Sequence, residues 1–205
     1  IGSETLDWDY PMNTLFSQSR TQVIYLADEI EAYGHITELA LNVVAPPGEV
    51  MDNWTIRMKH TSLAEYSSES LDADGWTEVY RNNETVDSAG WRTFELQRPF
   101  EYNGTDNLLV DFSHNNPSNA ESPGCEVSKP GAARSLYAHS DNNHGNPLDW
   151  SGGESPSVSS SDFVPNVKLT FRRESRVSRG DMKLIASDGE TDDRFGCSVA
   201  ISGDY

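Results

Sequence analysis

The stretch Trp54-Thr55-Ile56-Arg57-Met58-Lys59 decides the fold, because large apolar side chains alternate one for one with polar ones. A period of two is the geometry of a β-strand, whose successive side chains point to opposite faces, and it does not fit a helical stripe. Trp54, Ile56 and Met58 are therefore expected in a core, with Thr55, Arg57 and Lys59 toward water. The same alternation recurs at Leu39, Leu41 and Val43; at Phe94 and Leu96; at Leu108, Val110 and Phe112; and at Val167, Leu169 and Phe171, where Asn166, Lys168 and Thr170 are the polar partners. Further strand-like runs at 22–26, 76–80 and 134–139 bring the number to about eight. Clusters of Gly, Pro, Asn, Asp and Ser separate them, which predicts an all-β, jelly-roll-like antiparallel sandwich of two sheets.

The connections are legible by the same logic. Ala27-Asp28-Glu29-Ile30-Glu31 offers a single helical turn with acidic residues near its start, placed between two strand-like runs. Asp72-Ala73-Asp74-Gly75 carries no glutamate at the spacing a calcium loop needs, so it reads as a hairpin turn that sets Trp76 at the start of a strand. The segments 113–129 and 141–161 are rich in Asn, Pro, Gly and Ser and are expected to be long surface loops. After Phe171 four arginines, Arg172, Arg173, Arg176 and Arg179, form a basic run in an otherwise acidic chain. That change of character marks a boundary, giving a sandwich over 1–172, a linker over 173–182 and a separate segment over 183–205.

The bulk numbers narrow the partners. Of 205 residues, 15 are Lys or Arg and 33 are Asp or Glu, a formal net charge of −18. Such a chain repels phosphate backbones and anionic lipid, which argues against nucleic acid and membrane surfaces as partners. No apolar run approaches the length of a membrane-spanning helix. Two cysteines, Cys125 and Cys197, neither build a disulfide scaffold nor show the paired spacing of a zinc site; they read as unpaired, with one long-range bridge as the alternative. The five histidines form no metal-binding pair at helical spacing, and no nucleophile elbow, P-loop or dinucleotide fingerprint occurs. The chain is accordingly expected not to be an enzyme. Sequons at Asn53, Asn83 and Asn103 carry meaning only in a eukaryotic secretory setting.

Residues 183–205, KLIASDGETDDRFGCSVAISGDY, resemble the opening of an FG-GAP repeat, the blade unit of integrin-type β-propellers. Leu184 and Ala186 precede a turn at Asp188-Gly189, Asp193 stands before Phe195-Gly196, and Ser198-Val199-Ala200 leads to Gly203-Asp204. A propeller needs several blades in a ring, so the resemblance implies that this segment is a partial repeat of a larger extracellular protein, with further repeats beyond Tyr205. The first 172 residues look like the N-terminal sandwich modules of large secreted bacterial proteins. The motifs behind that likeness are Ser19-Arg20-Thr21-Gln22, Trp76-Thr77-Glu78-Val79-Tyr80, and Arg98-Pro99-Phe100-Glu101-Tyr102-Asn103-Gly104-Thr105 followed by Asn107-Leu108-Leu109-Val110. That likeness implies an accessory role in adhesion or carbohydrate binding at a cell surface.

Two sets of candidate site residues follow. Asp188, Glu190 and Asp192 alternate across a turn and Asp193 adds a fourth carboxylate, so their oxygens could converge on calcium; the alternative is a solvated acidic turn, and the glycine of an EF-hand's sixth position is missing. Sugar binding uses aromatic faces that stack on the C–H face of a pyranose. Trp91 and Tyr137 are out of phase with their apolar neighbours and Trp150 lies in a polar loop, which nominates these three, against the alternative of packing beneath a loop. The expected ligand is a polysaccharide or cell-surface glycan. The competing expectation is a structural subunit or spacer that binds other surface proteins.

Overall fold

The computed structural model describes residues 1–152 and 156–172, and the residues from Ile1 to Glu174 form one compact unit. Among the described residues twelve strands build two six-stranded antiparallel sheets. The strands are β1 Leu6–Trp8, β2 Gln18–Tyr25, β3 Gly34–Ala45, β4 Val50–Thr61, β5 Thr77–Thr85, β6 Gly90–Tyr102, β7 Asn107–Asn115, β8 Gly124–Ser128, β9 Ser135–Ser140, β10 Ser159–Ser161, β11 Val164–Pro165 and β12 Val167–Arg172. The helical turn α1, Ala27–Ile30, sits in the connection between β2 and β3, as its short acidic sequence requires.

Pairing establishes a jelly roll. In the first sheet β1 pairs with β8, β8 with β3 and β3 with β6; in the second β2 pairs with β7, β7 with β4 and β4 with β5. The orders 1-8-3-6 and 2-7-4-5 arise when a long antiparallel ribbon is rolled into two facing sheets. The later strands extend this frame. Strand β9 pairs with β2 and carries β10 outside it, while β12 pairs with β3 along Val167↔Leu41 to Arg172↔His35 and leaves β8 to pair at Val43 and Ala45.

All eight strand-like runs of the sequence are strands. The additional ones, β1, β8, β10 and β11, are two to five residues long. Strand β8 lies inside a segment whose Asn, Pro and Ser content reads as loop; only Cys125 and Val127 alternate there, and both are fully buried. The turn at Gly75 (φ +78°) does precede a strand, but it ends the long connection 62–76 between β4 and β5 rather than closing a tight hairpin.

The main core lies between the sheets, where Trp54, Ile56, Met58, Leu39, Leu41, Phe94, Val110 and Phe112 interlock. Trp54 packs within 5.8 Å of Phe112 and 5.9 Å of Phe94, centroid to centroid. Cys125 is a free thiol in this core, and burial pushes its pKa up to about 12, so it behaves as a small apolar side chain. Cys197 lies outside the described residues.

The expectation that each strand has one face in water holds for β6 and β12, whose buried and open positions alternate, and fails for β2, where all eight residues are buried. The outer face of the second sheet is roofed by the loops at 62–76 and 141–152. Under that roof Arg20, with no exposed side-chain surface, donates from Nε to Asp111 Oδ1 at 2.8 Å, and Arg57 donates to the other oxygen of the same carboxylate at 2.9 Å. Arg20 also donates to the carbonyls of Asp72 and Trp150, one from each loop, and Gln22 holds Asp72 through a reciprocal pair of 2.8 and 2.9 Å. A smaller cluster of Leu71, Leu136, Ala138, Trp150 and Val158 fills the remaining space.

Candidate ligand-binding surface

Strand β9 places Tyr137 opposite Thr21 and His139 opposite Ser19, on the face turned toward the first sheet. Leu136 and Ala138, which the alternation marks as core, instead face the roofed side. Strand β9 lies beyond β2 and β1 is the last strand of the first sheet, so Tyr137 and His139 sit at the margin of the sandwich and stay half-buried.

Other aromatic rings converge there. Trp8 of β1 meets Tyr137 edge-on at 5.6 Å, Tyr10 lies 4.5 Å from Tyr137, and Phe163 lies 5.9 Å from Trp8. Phe16 stacks on His139 at 3.7 Å with 20° between the planes. The Tyr10 hydroxyl and Nδ1 of His139 are hydrogen-bonded at 2.5 Å. Burial lowers the His139 pKa, partly opposed by the Asp141 carboxylate, so the ring is neutral at physiological pH. Burial likewise raises the Tyr10 pKa, which keeps the phenol protonated. Trp8, Phe16, Tyr137, His139 and Phe163 are each half-buried and only Tyr10 is buried. The result is a half-buried aromatic cluster with polar edges, of the kind that stacks on flat apolar faces while hydrogen-bonding around them.

The three aromatics nominated from sequence are not brought together. Tyr137 belongs to this cluster. Trp91 lies on the open face of the first sheet, 41% exposed, with the Lys168 ammonium 3.9 Å from its ring centroid. Trp150, expected to be presented by a polar loop, is 6% exposed and forms part of the small core under the roof, its indole N–H donating to the His144 carbonyl at 3.1 Å. The polar sequence around it reflects the outer surface of the roof, while the indole is its underside. Trp8, Tyr10, Phe16 and Phe163 carry no signal in sequence, since they come from the three-residue strand β1 and from irregular segments that only the fold assembles.

A second concavity lies at the end of the second sheet where β2 and β4 begin and β7 and β9 end. Two cavities of about 200 and 420 Å³ share Asn53 and Asn115 in their walls. The larger is lined by Ser17 and Asp141, and these follow Phe16 and His139 closely in the chain.

Among the described residues no group of three or more His, Cys, Asp or Glu side chains could hold a metal ion. The carboxylates nominated for calcium, Asp188, Glu190, Asp192 and Asp193, lie outside the described residues. No helix among the described residues is long and apolar enough to cross a membrane.

No curated protein matches the chain. The family model of the FG-GAP repeat matches residues 180–205, the segment whose Asp-Gly and Phe-Gly motifs carry the resemblance. FG-GAP repeats occur typically in extracellular proteins, so the match points to an extracellular, adhesion-type or β-propeller protein as the setting of this chain.

Proposed function

We propose that the jelly roll is a non-catalytic carbohydrate-binding or adhesion module of a secreted, bacterial cell-surface protein, and that its glycan lies on the aromatic cluster of Trp8, Tyr137 and Phe163. The single observation that supports this reading most is the convergence of half-buried rings from β1, β9 and the segment before β11 at one margin of the sandwich. Trp8, Tyr137 and Phe163 are half-buried, each held by ring contacts, and the Lys129 ammonium lies 5.2 Å over the Phe163 ring, so a cation borders the aromatic surface. Pre-set rings lose little entropy when a ligand arrives. The FG-GAP match is in keeping with an extracellular setting.

Glycan-array binding across plant, algal and bacterial polysaccharides, with and without calcium, tests the reading. Trp8→Ala and Tyr137→Ala are each expected to weaken binding at least about tenfold, roughly 1.4 kcal/mol, measured at a temperature where circular dichroism shows both variants folded. Trp91→Ala serves as the comparison: a loss confined to that variant moves the site to the open face of the first sheet. Absence of binding to every glycan rejects the reading.

The alternative, a structural spacer that assembles with other proteins, draws less support. Strand β6 lies at the edge of the first sheet, and its outward residues Glu95, Gln97, Arg98, Pro99 and Glu101 are the charged and proline-containing kind that discourages edge-to-edge pairing. Concentration-dependent self-association on a sizing column would restore that alternative.

A further inference from the structure

The groove at the end of the second sheet has a chemistry of its own. No Trp, Tyr or Phe lines it; its walls are mostly amides, hydroxyls and carboxylates. Several of these polar groups are unspent. The Asn53 side chain makes no hydrogen bond with the described residues, and neither does the Asp52 carboxylate. Asn115 accepts from Gln18 at 2.8 Å but its own amide N–H groups donate to none of the described residues, and Asn146 uses its oxygen to cap the turn at Leu148 while its NH2 remains open. Asn53 is held in the left-handed region (φ +54°) at a bulge of β4, which turns an otherwise regular strand residue into the shared wall of both cavities. Asp52 and Asp141 supply negative charge, and Arg81 is paired with Glu78 at 2.7 Å. The larger cavity, about 420 Å³, is within the usual size range of small-ligand sites, about 300–1,000 Å³.

From this arrangement we propose that the groove is a hydrogen-bonding subsite for an uncharged sugar unit, continuing a glycan chain whose neighbouring units stack on the aromatic cluster. The inference rests on the carbohydrate reading and adds two things to it: the residues that grip the hydroxyls, and the charge class of the glycan. Open amide donors beside carboxylate acceptors match the alternating donor and acceptor demands of vicinal hydroxyls. A uronate or sulfate would be brought against Asp52 and Asp141 in a chain of net charge −18, with Arg81 paired to Glu78 and the nearby Arg57 paired to Asp111.

The test is calorimetric titration of the whole chain with neutral hexasaccharides of β-linked glucose, xylose and mannose, and with hexagalacturonate as the anionic probe. At least one neutral hexasaccharide is expected to bind and hexagalacturonate is not. Asn53→Gly, which keeps the backbone conformation and removes the amide, and Asn115→Ala are each expected to weaken that binding about fivefold, the worth of a typical hydrogen bond. Asn53→Gly touches no core residue and decides the matter if Asn115→Ala proves unstable. Neutral binding that is sensitive to Trp8→Ala but indifferent to both asparagine variants overturns the subsite and leaves the carbohydrate reading intact. Tighter binding of hexagalacturonate overturns the charge class. No binding of any of the four probes overturns the inference, and the reading beneath it falls as well if the arrays are also blank.

Discussion

His114 shows how far a single side chain's environment sets its chemistry. It is fully buried on β7, and its Nε2 lies 3.0 Å from the Asn13 carbonyl, which can only accept, so Nε2 carries the proton. Burial holds the pKa down to about 4, against 6.5 in an ordinary setting. The native state therefore refuses a proton that the unfolded chain takes up between those two values. Stability is complete above about pH 6.5 and falls as pH drops through that window, by a total on the order of 3 kcal/mol. His139 is shifted in the same direction and adds to the slope. Urea midpoints at pH 7.5, 5.5 and 4.5 measure it, and His114→Gln is expected to flatten the fall. An unchanged slope in that variant would show that carboxylates alone drive the acid sensitivity.

Among the elements, β2 departs furthest from its sequence pattern. QSRTQVIY mixes polar and apolar residues as a half-exposed strand does, yet every residue of it is buried. The cause is Arg20, which would be costly to bury alone and is matched by Asp111 and the loop carbonyls of Asp72, Pro147 and Trp150. The guanidinium thus ties the loops at 62–76 and 141–152 to the sheet, and the roof in turn buries Trp150. Asp111→Ala leaves two guanidinium groups, Arg20 and Arg57, without their shared counter-ion. It is expected to cost about 3–5 kcal/mol, read as a fall in denaturation midpoint, and to raise proteolysis within 62–76. A loss below about 1 kcal/mol would mean that the carbonyls alone suffice.

At the scale of the whole molecule, charge and segment order matter most. A net charge of −18 favours solubility and neutral or cationic partners. The acidic residues Asp188, Glu190, Asp192 and Asp193 fall within the FG-GAP match at 180–205. Calcium titration of the full chain, with Asp188→Ala and Asp192→Ala beside it, decides their role: heat that both substitutions abolish assigns them to calcium, and a complete repeat array that gives none leaves them as solvated carboxylates. A glycan held by ring stacking on the proposed aromatic surface makes its contacts without an ion, so its binding is expected to survive chelation. Loss of binding in chelator would tie the glycan to the repeat segment.

The sequence by itself determined the strand content, the two-sheet class and the FG-GAP resemblance, because each rests on local order: a period of two, a turn dipeptide, a short motif. Trp54, Ile56 and Met58 could be assigned to the core for that reason. It also singled out Tyr137, though with the wrong face, since Leu136 and Ala138 find a second core that alternation alone does not reveal. Only the tertiary structure decided where the rings meet. Trp8, Tyr10, Phe16, Tyr137 and Phe163 are up to 155 positions apart, and what joins them is the pairing of β1 with β8 and of β9 with β2. Periodicity reports which way a side chain points from its own strand. Whether that direction leads to water, to a core or to a binding surface depends on what the rest of the chain lays against it.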